Sequence, residues 1–550
     1  MSEINLYSYQ QPFYNDIMTE LMVNNVKSVC AVLPTGGGKS VIIGKLAHEL
    51  PGRTLILTHR IEILTQNSEW LKEASILTAN ENGLKYGSKI VIAMVQTLYA
   101  RIKKYGIQYI GAIDNIILDE VQVLIFEKVF EQYDFKRLIG FTGTPTLNKK
   151  KYTSIDGVDW VEPYTLSELF DTIVQGPDTQ DLIDSGFLVQ DYNVVLDLPD
   201  FSKLKESDSS PDGYTKQSLN EVYLNTASLK VLTEAYDKHC KGKKTLIFNA
   251  STTINEYVLN HFKSLGLNAK MFDTVNTAEI NPLTEKRYTR EEIIDWFNNE
   301  RDAILINTNV FTTGFNVRDI EVVIVNRATK SLSLWIQMVG RGSRTTDKIF
   351  KDLFTVIDLG QNIYEHGRWS ERRDWKNWFY SPGKVRKNLM DMLATWACNS
   401  CEALNLKGEV VCEICGANKM DAIIEITEGN KKYKNGELVT IQEMPLPRAK
   451  AIIDYTISKK QSSDFAFQLL DRKIIDLFIH YDITKQFYEK RKNTYVDEFG
   501  VIKQGFQERI KQIYRPIYFA IIKHKELKGA HKKLDTCFER VITKVEKLYN

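Results

Sequence analysis

The amino-acid sequence predicts an α/β protein: two tandem parallel-sheet domains, then a small cysteine-braced lobe and a mostly helical tail. Three observations predict it. Short apolar runs alternate with turn signals and helical stretches over the first two thirds of the chain, the alternation that builds helix-covered parallel sheets. A glycine-rich stretch, Leu33-Pro34-Thr35-Gly36-Gly37-Gly38-Lys39-Ser40, lies between one such run and a helical pattern. Two CxxC pairs, Cys398 with Cys401 and Cys412 with Cys415, precede a basic C-terminal region.

With 550 residues the chain is too long for one core, and three or four domains are expected. Its 43% hydrophobic and 26% charged residues are the profile of a soluble globular protein. No window holds 18 apolar residues in a row, so no membrane span is expected. The start, MSEINLYSYQ, lacks the basic and apolar stretches of a signal peptide. A cytoplasmic protein is therefore expected, in the host cytoplasm if the source is viral. Residues 451–550 hold 20 Lys and Arg against 13 Asp and Glu, a surplus of seven positive charges on a chain of net charge +2. Such a tail suits a polyanion partner or a set of solvated helix faces equally.

The first domain is expected over residues 1–175. Ser28–Leu33, Thr54–Thr58, Ile90–Met94, Asn115–Leu118 and Arg137–Phe141 read as buried strands, and Lys39–Leu50 as a helix. Ligands of parallel sheets sit at the carboxyl ends of the strands. The Pro34–Ser40 loop falls at such an end and opens a helix. Its glycines let backbone N–H groups wrap phosphates, and the helix N-terminus adds positive potential. Lys39 is placed to reach the β- and γ-phosphates of ATP, and Ser40 to bind Mg²⁺. Asp119 and Glu120 end another apolar strand. Asp119 is expected to hold Mg²⁺, and Glu120 to orient or deprotonate the attacking water. The second domain is expected over residues 180–385, with strands at Thr245–Asn249, Ala303–Asn307, Val322–Asn326 and Phe354–Asp358. Leu166–Gly186 is the expected crossing between the two, and Ser207–Gly213 (SDSSPDG) reads as a mobile loop.

These stretches resemble the motifs of superfamily 2 helicases over residues 5–385. Pro34–Ser40 is similar to the PTGxGK[TS] motif, which does not need a glycine at the position of Leu33. Leu6, Tyr9 and Gln10 resemble the adenine-reading LRxYQ start, with Tyr7 in place of its arginine. Thr58-His59-Arg60 with Glu62 and Gln66 resembles a strand-binding motif, and Val95-Gln96-Thr97-Leu98 resembles the next. Asp119-Glu120-Val121-Gln122 departs from DEAH at Gln122, which replaces the histidine that helps couple hydrolysis to the third motif in that family. Thr142–Pro145 matches that third motif, with Gly143 where alanine is common. Asn309–Asn316 resembles the fifth motif, usually TEGFD, with Thr313 and Asn316 in place of its two carboxylates. Gln337, Gly340, Arg341 and Arg344 match QxxGRxxR.

The resemblance implies two RecA-like domains with ATP in the cleft between them. It implies nucleotide contacts from Gln10, Gly314 and Asn316, and nucleic-acid contacts from His59, Arg60, Gln96, Thr97 and Thr308. Arg341 and Arg344, three apart on a helix, are expected on one face, where a guanidinium neutralises charge growing on the transferred phosphoryl group. Gln337 completes the catalytic set. The strings Asp358–Asn362, His366-Gly367 and Arg373–Trp375 are similar to those of the XPB-like and UvsW-like group, many of them phage or bacterial DNA enzymes.

Cys398-x₂-Cys401-x₁₀-Cys412-x₂-Cys415 has the spacing of a four-thiolate zinc site, expected to be structural, in a lobe at residues 390–420. The resemblance implies an ordinary zinc ribbon there; the spacing also fits a RanBP2-type finger. The aromatic and arginine-rich stretch 363–380 is expected as docking core rather than a base-stacking platform. Residues 421–550 are expected to be helical and basic, with helices over Ser462–Phe478 and Arg509–Lys525. The expected function is an ATP-dependent DNA helicase or translocase remodelling branched DNA, with ATP, Mg²⁺ and Zn²⁺ as cofactors. An RNA helicase, and a zinc-dependent nucleic-acid-binding module with a weak motor, are the alternatives. No membrane partner is expected.

Overall fold

The computed structural model describes residues 4–58, 71, 73–79, 82–85, 87–121, 133–146, 150–153, 159–162, 166–196, 198, 201–207, 210, 212–273, 287–308, 317–380, 395–397, 404–406, 438–440, 449–481, 514–515, 517–524, 527 and 534–549.

The first half contains α1 (Gln10–Met22), β1 (Ser28–Val32), α2 (Lys39–Glu49), β2 (Thr54–Thr58), β3 (Ser75–Leu77), β4 (Asn82–Gly83), β5 (Ile90–Met94), α3 (Val95–Tyr105), β6 (Asn115–Asp119), β7 (Arg137–Thr142), the hairpin β8 (Lys150–Thr153) and β9 (Asp159–Glu162), and β10 (Thr172–Gln175). Eight strands form one sheet in the order β10-β1-β7-β6-β2-β5-β3-β4, parallel except for the β3–β4 pair. Apolar runs build it because helices cover both faces: every residue of β1, β2 and β6 is buried. Phe13, Tyr14, Ile17 and Leu21 recur at helical spacing on α1 and pack with the Ile42 and Leu46 side of α2 on one face. The first sheet ends at Gln175, so the crossing starts later than Leu166.

The second half contains α4 (Thr179–Asp184), β11 (Gln190–Leu196), α5 (Lys216–Tyr223), α6 (Thr226–His239), β12 (Thr245–Asn249), α7 (Thr252–Ser264), β13 (Ala269–Phe272), α8 (Arg290–Asn299), β14 (Ile304–Asn307), β15 (Val322–Asn326), α9 (Leu332–Val339), β16 (Leu353–Asp358), α10 (Asn362–His366) and α11 (Trp375–Tyr380). Its seven-stranded sheet runs β13-β14-β12-β15-β16-β11-β19. The last strand, β19 (Leu438–Thr440), pairs antiparallel with β11. A piece of the region expected to be helical thus returns to close the edge of the second sheet. Between them, β17 (Thr395–Ala397) and β18 (Leu404–Leu406) form an antiparallel hairpin.

One apolar cluster is continuous from Cys30 and Leu118 in the first half through Leu182 and Leu188 to Trp335 and Phe354 in the second. The aromatic stretch after α10 is part of it, as expected. Trp369, Trp375 and Phe379 are buried, and the buried Arg373 donates to the carbonyls of His366, Arg368 and Glu371. Gln175 at the end of β10 donates to the Arg373 carbonyl at 3.2 Å, so this stretch latches the second half to the first.

In the stretch read as mobile, residues 208, 209 and 211 lie outside the described residues, and Asp212 is anchored. Asp212 is 6% exposed and pairs with the buried Arg327, and its carbonyl accepts from Lys330 N at 2.7 Å. A buried guanidinium demands a carboxylate, and the loop supplies it. The C-terminal helices α12 (Ala449–Ser458), α13 (Ser463–Tyr481) and α14 (Leu534–Tyr549) enclose a core of their own that includes Phe467, Leu470, Tyr518 and Phe538. Among the described residues no helix is long and apolar enough to cross a membrane.

Candidate ATP site between the two sheets

The phosphate loop leaves β1 at Val32 and enters α2 at Lys39. Gly36 and Gly38 take positive φ, +87° and +78°, which side chains rarely adopt. A Cβ on Gly38 would stand 2.3 Å from Gln10 Nε2. Gln10 is fully buried: Nε2 donates to Gly37 O at 3.1 Å and its Oε1 accepts from Tyr7 N at 2.9 Å. Tyr9 OH donates to the same Gly37 carbonyl at 3.0 Å. Gln10 therefore braces the back of the loop. Lys39 Nζ reaches Leu33 O at 3.4 Å and Glu120 Oε1 at 3.5 Å.

Asp119 ends β6, is 3% exposed, and lies opposite Phe141 of β7. Glu120 leaves the strand with φ +59°, a left-handed turn that costs a non-glycine residue free energy and is characteristic of functional positions. Thr142 Oγ1 accepts from Thr144 N at 3.0 Å and donates to Thr144 O at 2.8 Å, closing the third-motif turn beside the loop. A Cβ on Gly143 would stand 3.4 Å from Thr35 Oγ1, ordinary contact, so the alanine common in the resembled motif fits this backbone.

The second half comes in from the opposite side. Gln337 Nε2 on α9 donates to Glu120 Oε2 at 3.4 Å across the cleft. Positions for a Cβ on Gly36 lie 2.9 Å from Leu188 and 3.8 Å from Ser343, and on Gly340 3.2 Å from Thr35 Cγ2. Phe187 stacks edge-on with Tyr9 at 4.5 Å between centroids. The sheets thus meet over the phosphate loop.

The arginines do not share a helix face. Helix α9 stops at Val339, and turns with Arg341 N on Met338 O and Gly342 N on Val339 O follow. A Cβ on Gly342 would stand 2.2 Å from Phe354 Cδ2, so only glycine leaves room for that ring. Arg341 is 4% exposed with Nε on Gln337 O at 3.4 Å. Arg344 forms a β-bridge with Leu188. Burial and the neighbouring Arg318 cation push the Arg344 guanidinium down to about 10, still a cation at neutral pH.

Thr35, Gly36, Lys39, Glu120 and Gln337 therefore meet at one cleft, with Pro34, Gly37, Gly38, Ser40 and Asp119 next to them in the chain; Arg341 is tied to it through Gln337 O and Arg344 through its bridge to Leu188. Gln96 and Thr97 open α3 at the end of β5, and Thr308 follows β14, with its carbonyl accepting from Arg327 Nη1 at 3.4 Å. His59, Arg60, Gln122, Gly314, Asn316, Cys398, Cys401, Cys412 and Cys415 lie outside the described residues. Among the described residues no group of three His, Cys, Asp or Glu is arranged to hold a metal ion. Asp119 is buried at the end of β6 and Ser40 lies in the first turn of α2; a carboxylate and a hydroxyl are the oxygen donors that suit a hard cation shared with phosphate oxygens. Tyr9 belongs to the start expected to read adenine, whereas Phe187, Leu188 and Ser343 are not among the residues expected as parts of the cleft. Their roles come from positions far apart in sequence, and no local pattern announces them.

Residues 3–147 match the family described as type III restriction enzyme, res subunit, and residues 227–346 match the helicase conserved C-terminal domain. The chain is 26% identical over 414 residues to a 51.5 kDa protein of a Lactococcus phage, covering 72% of this chain and 82% of that one. It is 28% identical over 378 residues to IRC3 of Saccharomyces cerevisiae, named as an ATP-dependent helicase, covering 64% of this chain; it spans about half the yeast protein, 51%. A solved fragment assigned as the HsdR subunit of a type I restriction enzyme from Vibrio vulnificus matches with TM-score 0.46 and 18% identity, over 67% of this chain and 66% of that one. These two domain matches and the helicase relative support an ATPase of the superfamily 2 helicase type.

Proposed function

We propose that the protein is an ATP-driven DNA motor that unwinds or remodels branched DNA. The observation that carries this reading is the contact of Gln337 with Glu120 over the phosphate loop, which puts groups of both halves at one cleft. In this reading Lys39 and the loop amides bind the β- and γ-phosphates. Glu120 orients the attacking water and accepts its proton. Ser40 and Asp119 hold Mg²⁺, which when bound neutralises phosphate charge. Arg341 and Arg344 stabilise the charge that grows on the transferred group. ATP binding and release change the fit of the two halves, and that change moves a gripped strand.

The restriction-subunit match favours DNA over RNA. Nucleic-acid contacts are assigned to His59, Arg60, Gln96, Thr97 and Thr308, and further base or nucleotide contacts to Gly314 and Asn316. The four cysteines are assigned to one structural Zn²⁺. Cys398 and Cys401 fall in the sequence that joins β17 to β18, as the turn of a metal-clamped hairpin requires.

The deciding experiment is the ATPase rate without nucleic acid and with single-stranded DNA, forked DNA or RNA of equal length. Stimulation greatest with forked DNA is expected. Preference for RNA makes the protein an RNA helicase, and no turnover with any polymer makes it a binding module. Lys39→Ala is expected to abolish turnover while nucleic-acid binding persists; unchanged turnover refutes the site assignment.

A further inference from the structure

Phe350, Lys351 and Asp352 lead into β16, and their side chains face in opposite directions. Phe350 packs edge-on against Tyr455 of α12 at 5.3 Å between centroids. Asp352 pairs with Lys473 of α13 at 2.7 Å, and the same ammonium lies 5.4 Å from the Phe350 ring centroid. Both residues therefore grip the C-terminal helical lobe. Lys351 turns inward. It is 9% exposed, and its Nζ donates to Arg318 O at 2.9 Å and to Arg344 O at 3.0 Å. Arg344 closes the arginine turn, and Arg318 lies just past residues 309–316. The turn is also held by Phe354, whose ring occupies the space beside Gly342, and by the Leu188 bridge next to the phosphate loop.

We propose that Lys351 is a positioning residue for Arg344, and that the C-terminal helical lobe controls ATP turnover by gripping the segment on either side of it. This rests on the ATPase reading of the cleft. Among the described residues two carbonyls, and no carboxylate, receive the Lys351 amine directly. Burial pushes it down to about 7, with Arg344 opposing the charge and Glu321 and Asp319 favouring it. A methionine fills similar space but leaves both carbonyls without this donor, so Lys351→Met removes the tie while keeping most of the packing. An amine, protonated or neutral, has hydrogens for both carbonyls, so the two exits stay tied on either side of its titration.

The test uses the full chain with single-stranded DNA. Lys351→Met is expected to lower kcat by about 10²-fold, the effect of a small misplacement of a catalytic group, with KM for ATP within about twofold. Lys473→Glu acts in the same direction with a smaller loss, and the double exchange Asp352→Lys with Lys473→Asp restores turnover. Hydrogen exchange across residues 340–354 is expected to quicken in Lys473→Glu, with or without ATP. Wild-type kcat in Lys351→Met, or unchanged exchange across 340–354 in Lys473→Glu, overturns the proposal. Should Lys351→Met fail to fold, the Lys473 variants carry the decision, since Lys473 sits at the lobe surface. A wild-type chain that hydrolyses no ATP refutes the ATPase reading, and the exchange measurement still decides whether the lobe holds the arginine turn.

Discussion

At the carboxyl ends of the first sheet, Val32, Asp119 and Thr142 give way to loops whose backbone groups and glycines face a cleft. At the same ends of the second sheet, side chains fill the space. Asn326 donates to Asn249 at 2.6 Å, Asn249 to Asn255 at 2.9 Å, and Asn307 to Ile247 O at 3.0 Å. Arg327 crosses the strand ends to Asp212, and Asp358 accepts from Asn362 Nδ2 at 2.7 Å and Ile363 N at 2.8 Å. Gly360 must be glycine, because its Cβ would stand 1.9 Å from Arg327 O. Two sheets of one architecture thus end differently. The first leaves backbone donors for a phosphate. At the described ends of the second, polar side chains bond mainly to one another and to nearby carbonyls, and that half contributes from its flank, through Gln337, Arg341 and Arg344.

The largest expected effect tests that flank. Arg344→Ala should lower kcat by about 10³-fold or more with little change in KM for ATP. Equal loss of ATP binding and turnover would put Arg344 in the ground state and blur the contrast. Next is the filled end itself. Asp212→Ala leaves Arg327 as a buried unpaired charge and should cost about 3–5 kcal/mol in urea unfolding, while Asp212→Ala with Arg327→Met recovers most of it. A neutral Asp212→Ala would show that the second end is loosely plugged and open to water.

A smaller effect depends on pH. Burial raises the Asp358 carboxyl from 3.8 to about 6 against the hydrogen bonds that it accepts. Between these values the folded chain holds the proton that the unfolded chain has lost, so this group's contribution to stability falls as pH rises from about 4 to 6. Urea midpoints of the wild type relative to Asp358→Asn should therefore drop over that window and run parallel above it. Parallel curves throughout would mean that burial does not raise the Asp358 carboxyl and that the second sheet's end is open to water. The smallest effect is Gly143→Ala in the first half, expected within about 0.5 kcal/mol of wild type with ATP turnover kept, since the added methyl meets Thr35 only at ordinary contact. A marked loss would make the third-motif turn as tightly filled as the second sheet's ends.

Much of this was legible from the residues. Continuous β-branched and apolar runs specify buried parallel strands whatever surrounds them, and Thr54–Thr58, Ile90–Met94, Thr245–Asn249 and Val322–Asn326 have the bounds read from sequence. Gly36 and Gly38 mark a loop that only glycine can follow, and the acidic pair at the end of Ile116–Leu118 marks a strand end. Local chemistry decides these features, so local sequence reveals them.

Other features depended on groups brought together from far along the chain. The arginine turn follows the end of its helix, where the Phe354 ring leaves no room for a side chain on Gly342 and Arg344 bridges to Leu188. The polar loop at Asp212 is anchored by a guanidinium more than a hundred residues away, and β19 joins the second sheet across the cysteine-rich segment. Periodicity and propensity report which side of a segment is apolar. Which partner satisfies a buried charge, and which ring blocks a turn, depends on packing between distant segments, and only the tertiary structure decides it.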